Sequence, residues 1–426
     1  MTEADGESLV AFRRDLHRHP EPSWCEFRTT DRVVGACEAI PGVDVEYGPA
    51  VLAADARDAV PDDETLETWL DRAREAGVDE TRLDRMAGGY TGAVATLDRG
   101  EGPTVAVRVD LDALPQTEST ESGHHPTDAG FRSSNEGYMH ACGHDAHAAI
   151  GLGVLRTVAA SDFAGTLTVL FQPAEEVIGG ARAMAAAGVV DDVDALLATH
   201  VGLGYPTGTV IAGLEGILAV SQFRATFEGE AAHAGKAPQQ GRNAVRALAA
   251  AVQGLYAIPR HQDGATRVNA GRVEGGTATN IVPDSAVLAG EVRGETTDLM
   301  RYMRDAANRT MRAAASMHDC DVAIERTGEA PTATPDDSVV DTVADVAATV
   351  PDVTDVRRTG SLGGSEDAAI LLQRVQERGG RAAYVCVGTD HPGGHHTATF
   401  DVDEASIEHA VAVLAGAARR LAADGE

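Results

Sequence analysis

The sequence predicts an α/β fold into which a smaller α+β domain is inserted, and three changes of pattern along the chain predict it. Up to about residue 215, helical periodicity alternates with short β-rich apolar runs, the pattern of a sheet flanked by helices. Between Ala219 and Gly328 the order becomes β-α-β-β-α-β, which is the ferredoxin-like order. From Pro331 to Glu426 helix-strand alternation returns, so residues 217–329 read as a domain inserted between 1–216 and 330–426.

Each element has its own signal. The strands of the larger domain are GAVATL (92–97), TVAVRVD (104–110), TLTVLF (166–171), ALLAT (195–199) and AAYVCVG (382–388), with an alanine-rich last helix near 404–423. The long acidic stretch from Val33 to Gly89 is mostly helical in pattern and is expected to pack as an elaboration before the strands begin. In the inserted region, AVSQFRATFEG, RVNAGRVEG, AVLAGEVRG and DVAIERTG read as strands. GRNAVRALAAAVQGLY and TTDLMRYMRDAANRTMRAAASMH read as helices.

A chain of 426 residues exceeds the ~250–300 that one core supports, in keeping with two domains. No run approaches the ~18 apolar residues of a membrane span, and the N-terminus carries Arg13, Arg14, Asp15 and Arg18 where a signal core would be apolar. A soluble, cytoplasmic protein is expected. Five scattered cysteines do not form a disulfide framework. The net charge of -31 is spread along the chain, and Lys236 is the only lysine. Phosphate binding needs a basic footprint, so nucleic acid is excluded as a partner, and the acid excess points to a salt-loving source.

The residues able to do chemistry sit at strand ends. MHACGHDAH (139–147) puts Cys142 and His144 in a Gly-containing turn ahead of an apolar helix, where thiolate and imidazole can address one ion. The strand TLTVLF runs into QPAEE, placing Glu175 and Glu176 where one carboxylate can ligate and its neighbour can take a proton. His200 ends ALLATH, and one of His391, His395 and His396 in the Gly-rich loop after AAYVCVG is expected to complete the site. The mixed thiolate, imidazole and carboxylate set suits Zn²⁺ without being exclusive to it. A Cys142–His thiol-imidazole nucleophile is the competing chemistry, but it would leave the paired glutamates without a task.

Taken together, WCEFRT, GGYTGAVATLD, RVDLDAL, MHACGHD, LFQPAEE, GVVDDVD, EGEAAHAG, GSEDA and GHHTATFDVDE resemble the dinuclear-metal amidohydrolase and peptidase family that includes hippurate hydrolase, the plant auxin-conjugate hydrolases and carboxypeptidase G. The resemblance covers nearly the whole chain and implies a metallopeptidase-like catalytic domain, a mixed sheet flanked by helices, with the ferredoxin-like insert as lid and dimerisation domain. It implies that two divalent ions, Mn or Zn, are held by Cys142, His144, Glu176, His200 and His396, with Cys142 bridging them. His396 is the implied ligand because it stands four residues before Phe400, although Ala398 replaces the family's usual Pro. The resemblance further implies that Glu175 is the general base and that His233 stabilises the oxyanion, often from a partner protomer. Asn280 and Arg293 would bind the substrate carboxylate, while Asp110, Asp112, His140, Asp145, Glu366 and Asp367 would support the ligands from behind.

The activity expected on this basis is hydrolysis of the amide of an N-acyl amino acid, an aroyl-glutamate such as aminobenzoyl-glutamate. The expected assembly is a homodimer through the inserted domain, or a complex with a second, related chain, the arrangement of the branch that hydrolyses aminobenzoyl-glutamate. A dipeptidase or aminoacylase on the same scaffold is the alternative.

Overall fold

The computed structural model describes residues 7–391 and 393–423. Its contacts divide the chain into two compact units. One comprises Met1–Glu215, Ala333–Leu362 and Asp367–Glu426, and the other Gly216–Thr332 with Gly363–Glu366.

The first unit carries strands β1 (Val43–Tyr47), β2 (Ala93–Asp98), β3 (Thr104–Asp110), β4 (Thr166–Gln172), β5 (Ala195–Val201) and β6 (Thr209–Glu215). The second unit carries β7 (Ala219–Glu228), β8 (Ala232–His233), β9 (Thr266–Gly275), β10 (Ile281–Val282), β11 (Ser285–Gly294) and β12 (Asp321–Ala330), after which β13 (Asp355–Ser361) and β14 (Arg381–Val387) return to the first.

The sheet of the first unit is mixed, in the order β1-β2-β4-β3-β5-β14-β6-β13. Its middle strands β4, β3, β5 and β14 are mutually parallel, β2 runs against both β1 and β4, and β6 runs against β14 but parallel to β13. All seven residues of β5 are buried, as expected of a near-continuous apolar run covered on both faces. The helix His144–Ala159 packs on β3 and β4, and the helix Ala405–Ala423 packs against it. Because β3, β4, β5 and β14 point the same way, the chain leaves all four at one edge, where a parallel sheet gathers its functional loops.

One expectation is corrected here. The stretch 33–89 is not helical throughout before the strands begin: it contains β1, which pairs antiparallel with β2 from Val43 opposite Leu97 to Tyr47 opposite Ala93. Five residues alternating Val and acid at a half-exposed sheet edge carry too short a period to stand out from the helices around them.

The second unit is a four-stranded antiparallel sheet, β12-β7-β11-β9, with the helices Ala244–Tyr256 and Thr297–Met317 packed on it. Phe223, Phe227, Leu248, Leu288, Met303 and Met311 are buried in its core. A separate two-stranded ladder joins β8 to β10.

The N-terminal helix Leu9–Arg18 inserts charge into the first unit. Arg13 is fully buried, with Asp145 and Asp401 each at 2.6 Å, while His17 lies between Asp145 at 2.8 Å and Glu118 at 2.9 Å. Burial alone would lower the pKa of His17, but the Asp145 and Glu118 carboxylates together outweigh it and raise it to about 9, so the imidazolium is part of the fold. Arg13→Ala would leave two buried carboxylates short of a counter-ion, and removing one partner of such a pair costs about 3–5 kcal/mol. The expected result is a clear drop in the melting temperature measured by circular dichroism. An unchanged melting curve would show that the network contributes nothing net.

Candidate metal centre

The site is assembled at the shared edge of β3, β4, β5 and β14. After β3 the chain passes Asp110 and Asp112, after β4 it reaches Glu175 and Glu176, β5 itself presents His200, and the loop after β14 carries His395 and His396. Cys142 lies in the turn before the helix His144–Ala159. Gly143 holds φ at +89° in that turn, and a Cβ there would meet Val201 Cγ2 at 2.7 Å, so only glycine lets Cys142 and His144 approach β5 this closely.

Candidate ligand atoms gather in two groups that share Cys142. Cys142, His144 and Glu176 form one, and Cys142, His200 and His395 form the other, with all atoms of each group within 4.8 Å of one another. The Cys142 sulfur is 3.5 Å from His200 Nε2, and His396 Nε2 is 3.8 Å from Glu176 Oε2. Four of the five residues expected to hold metal stand in these groups, His396 lies beside Glu176, and the second group includes His395, to which sequence alone assigns no role of its own.

The backs of these ligands are tied down. His144 Nδ1 lies 2.8 Å from the Asp112 carbonyl oxygen and His200 Nδ1 lies 2.7 Å from that of Val201. A carbonyl only accepts, so each Nδ1 carries the proton and each Nε2 turns a lone pair inward, the arrangement seen in metal-binding histidines. His144 Nε2 is buried without a hydrogen-bond partner, facing Asp110 at 3.6 Å and Glu175 and Glu176 at 3.9 Å. An orphaned imidazole nitrogen among carboxylates and a thiol is a donor set that a divalent cation would satisfy, so the residues fit the implied ions. Burial pushes the Cys142 thiol well up and the His200 imidazole well down. Burial would lower His144 too, but Asp110, Asp112 and Cys142 together outweigh it and raise it.

Asp112 positions the glutamate pair. Its two carboxylate oxygens accept from the backbone N–H groups of Glu175 at 3.1 Å and Glu176 at 3.0 Å, and Ser23 donates to it at 2.6 Å. Ala174 just before them holds φ at +55°, and His396 holds +61° with its N–H bonded to the Ala141 carbonyl at 2.8 Å. Two non-glycine residues in the left-handed region flank the chemistry, where strain commonly collects.

His147, to which sequence alone assigns no role, lies one turn beyond His144 on the same helical face. Its Nδ1 meets Asp110 at 2.5 Å, and its Nε2 accepts from the Val201 N–H at 2.9 Å, beside the ligand candidate His200. Asp110 in turn is 2.8 Å from Arg108, which reaches Gln172 at 2.8 Å and Asp367 at 3.1 Å, all buried. The i,i+3 spacing of His144 and His147 was the available signal; Asp110 and Asp367 are among the residues expected behind the ligands, whereas nothing in the sequence marks Arg108 and Gln172, which meet Asp367 only once the sheet has formed.

His233, Asn280 and Arg293 belong to the second unit. His233 pairs with Ile281 across the β8-β10 ladder, and the Asn280 carbonyl accepts from Ala234 N–H at 2.9 Å, so these two exposed residues are neighbours. Arg293 is not with them. It stands near the far end of β11, eight residues from Ser285 and so roughly 26 Å along the strand, and it is paired with Glu291 at 2.8 Å. Arg293 thus stands at the opposite end of β11 from Ser285, the strand end that follows Asn280 in the chain.

Comparison with known proteins agrees with this architecture. The profile described as Peptidase family M20/M25/M40 matches residues 106–420. The indole-3-acetyl-aspartic acid hydrolase of Enterobacter agglomerans is 44% identical over 411 residues, covering 96% of this chain and 94% of that protein. One of the p-aminobenzoyl-glutamate hydrolase subunits of Escherichia coli is 42% identical, with 96% and 94% covered. The crystal structure of an aminobenzoyl-glutamate utilization protein from Klebsiella pneumoniae superposes with a TM-score of 0.83 at 40% identity, covering 96% of this chain and 95% of that one.

Proposed function

The chain belongs to peptidase family M20/M25/M40, and from that membership we propose that it is a metal-dependent amidohydrolase that cleaves the amide of an N-acyl amino acid. The observation that carries this reading is the Cys142 sulfur shared by two groups of ligand atoms, with Glu175 held beside them. Cys142, His144, Glu176, His200 and His396 would hold two divalent ions, Mn or Zn. Such ions, when bound, supply Lewis acidity that polarises the amide carbonyl and eases loss of a proton from water.

Glu175 takes the proton of the attacking water and passes it to the leaving amine nitrogen. Its backbone is anchored by Asp112, which leaves the side chain aimed rather than mobile. His233 serves as donor to the oxyanion: its Nδ1 accepts from the N–H groups of Gly235 and Lys236 at 3.1 and 3.2 Å, so the proton resides on Nε2, available to a developing negative charge.

Both relatives are named for an aromatic acyl group joined to an acidic amino acid, indole-3-acetyl-aspartate in one and p-aminobenzoyl-glutamate in the other. We read the same class, an aroyl-glutamate such as p-aminobenzoyl-glutamate, as the substrate here. The ferredoxin-like second unit acts as lid and dimerisation domain. We read the assembly as a homodimer through this unit, or a complex with a related second chain, since the Escherichia coli relative is itself named as one subunit of its hydrolase. Among the described residues no helix is long and apolar enough to cross a membrane; we place the protein in the cytoplasm, with its charge of -31 adapted to high salt.

The test is release of the aromatic acid from p-aminobenzoyl-glutamate and indole-3-acetyl-aspartate by the purified chain in molar salt with Mn²⁺ or Zn²⁺, beside hippurate and an acetyl-amino acid. Preferred turnover of the first two is expected. An enzyme that prefers dipeptides would establish the dipeptidase alternative, and a chain inert until a second, related chain is added would establish the hetero-oligomer. His233→Ala is expected to lower kcat by about 10²-fold with unchanged metal content, as loss of an oxyanion donor does; an unaltered kcat would remove His233 from the mechanism.

A further inference from the structure

Two adjacent histidines close the site from the loop after β14, and they face different parts of it. His396 approaches Glu176, with its Nε2 at 3.8 Å from the carboxylate. His395 turns the other way: one of its ring nitrogens lies within 4.8 Å of both the Cys142 sulfur and a His200 nitrogen, and its ring centroid is 5.4 Å from that of His200.

The position of His395 is built. Its Nε2 lies 3.2 Å from the Val201 carbonyl oxygen, and its ring lies against Phe400 with centroids 4.8 Å apart. Gly202 makes the space, since a Cβ there would sit 2.9 Å from His395 Cε1 and 3.2 Å from Nε2. Thiolate and neutral imidazole are the donors that soft-to-borderline divalent ions take, and Cys142, His200 and His395 supply three of them.

We propose that His395 is an additional metal ligand, contributing to the ion on the Cys142–His200 side while His396 contributes to the ion beside Glu176. This rests on the metal-dependent reading above. It makes the pair His395 and His396 a double ligand rather than one ligand and a neighbour, and it gives the Cys142–His200 ion a third protein donor.

Cobalt(II) substitution of the full chain tests this without relying on turnover. Each coordinated histidine gives its own hyperfine-shifted imidazole resonances in the proton NMR spectrum. Four sets are expected in the wild type, from His144, His200, His395 and His396, and His395→Ala is expected to remove one set and to weaken one of the two cobalt sites by at least tenfold in calorimetric titration. Three sets in the wild type would overturn the proposal even if the variant failed to fold, and so would a His395→Ala spectrum that keeps every set. In either case two bound cobalt ions would leave the hydrolase reading standing, whereas a wild type that binds no cobalt would defeat both.

Discussion

Replacing Glu175 with glutamine is expected to lower kcat by about 10²–10⁴-fold, the range spanned by loss of a positioned general base, while two metal ions remain bound. The expectation follows from how the residue is held. Glu175 is 8% exposed, and its backbone N–H is fixed to Asp112 Oδ1 at 3.1 Å. The residue before it is locked at positive φ, with the Ala174 N–H bonded to Glu26 at 2.8 Å. Glutamine preserves volume and the anchoring contacts but accepts no proton at the pH of the assay. Glu176, one residue on, shares its group with Cys142 and His144, so the pair divides into one carboxylate that ligates and one that moves protons. Steady-state kinetics beside metal analysis separates the two roles. A Glu175→Gln enzyme with normal kcat, or one that has lost an ion while Glu176→Gln has not, would reverse the assignment.

Cys142→Ala is expected to have the largest effect on metal content, because the sulfur is the one donor common to both groups of ligand atoms. Its loss leaves His144, Glu176 and His396 on one side and His200 and His395 on the other, with no thiolate between them. Even outer partners of metal ligands cost 10–100-fold in affinity when removed, and a shared direct ligand should cost more than about 10²-fold at both ions. Metal analysis after gel filtration should then find the variant stripped of both ions and inactive, whereas His200→Ala should keep one. The side chain is small and 9% exposed, and the surrounding turn is set by Gly143 and by the Ala141 carbonyl, so circular dichroism should show an intact fold. A Cys142→Ala protein that retains both ions would mean that the two groups are held independently.

Much of this was legible in the chain itself. The middle strands of the first unit are buried on both faces, which favours largely apolar runs, and such runs read clearly as TVAVRVD, TLTVLF and ALLAT, with Arg108 and Asp110 the buried charges among them. Ligating groups at the ends of parallel strands follow those runs immediately, so Glu175, Glu176 and His200 could be named from local context. Cys142 and His144 were marked by a single glycine turn. β1 escaped notice because five residues at a half-exposed edge carry little periodic information.

What local pattern determined, then, were the elements and the donors each one carries, because burial and turn chemistry act within a few residues of chain. Tertiary structure alone decided which donors meet. The chain Asp367–Arg108–Asp110–His147 joins residues up to 259 positions apart, and its only driving force is that buried charges must find partners once the sheet has closed around them. The same closure set His395 against Gly202 beside Cys142 and His200. No spacing along the sequence encodes that result, because it depends on distances that exist only after strands remote in the chain have paired.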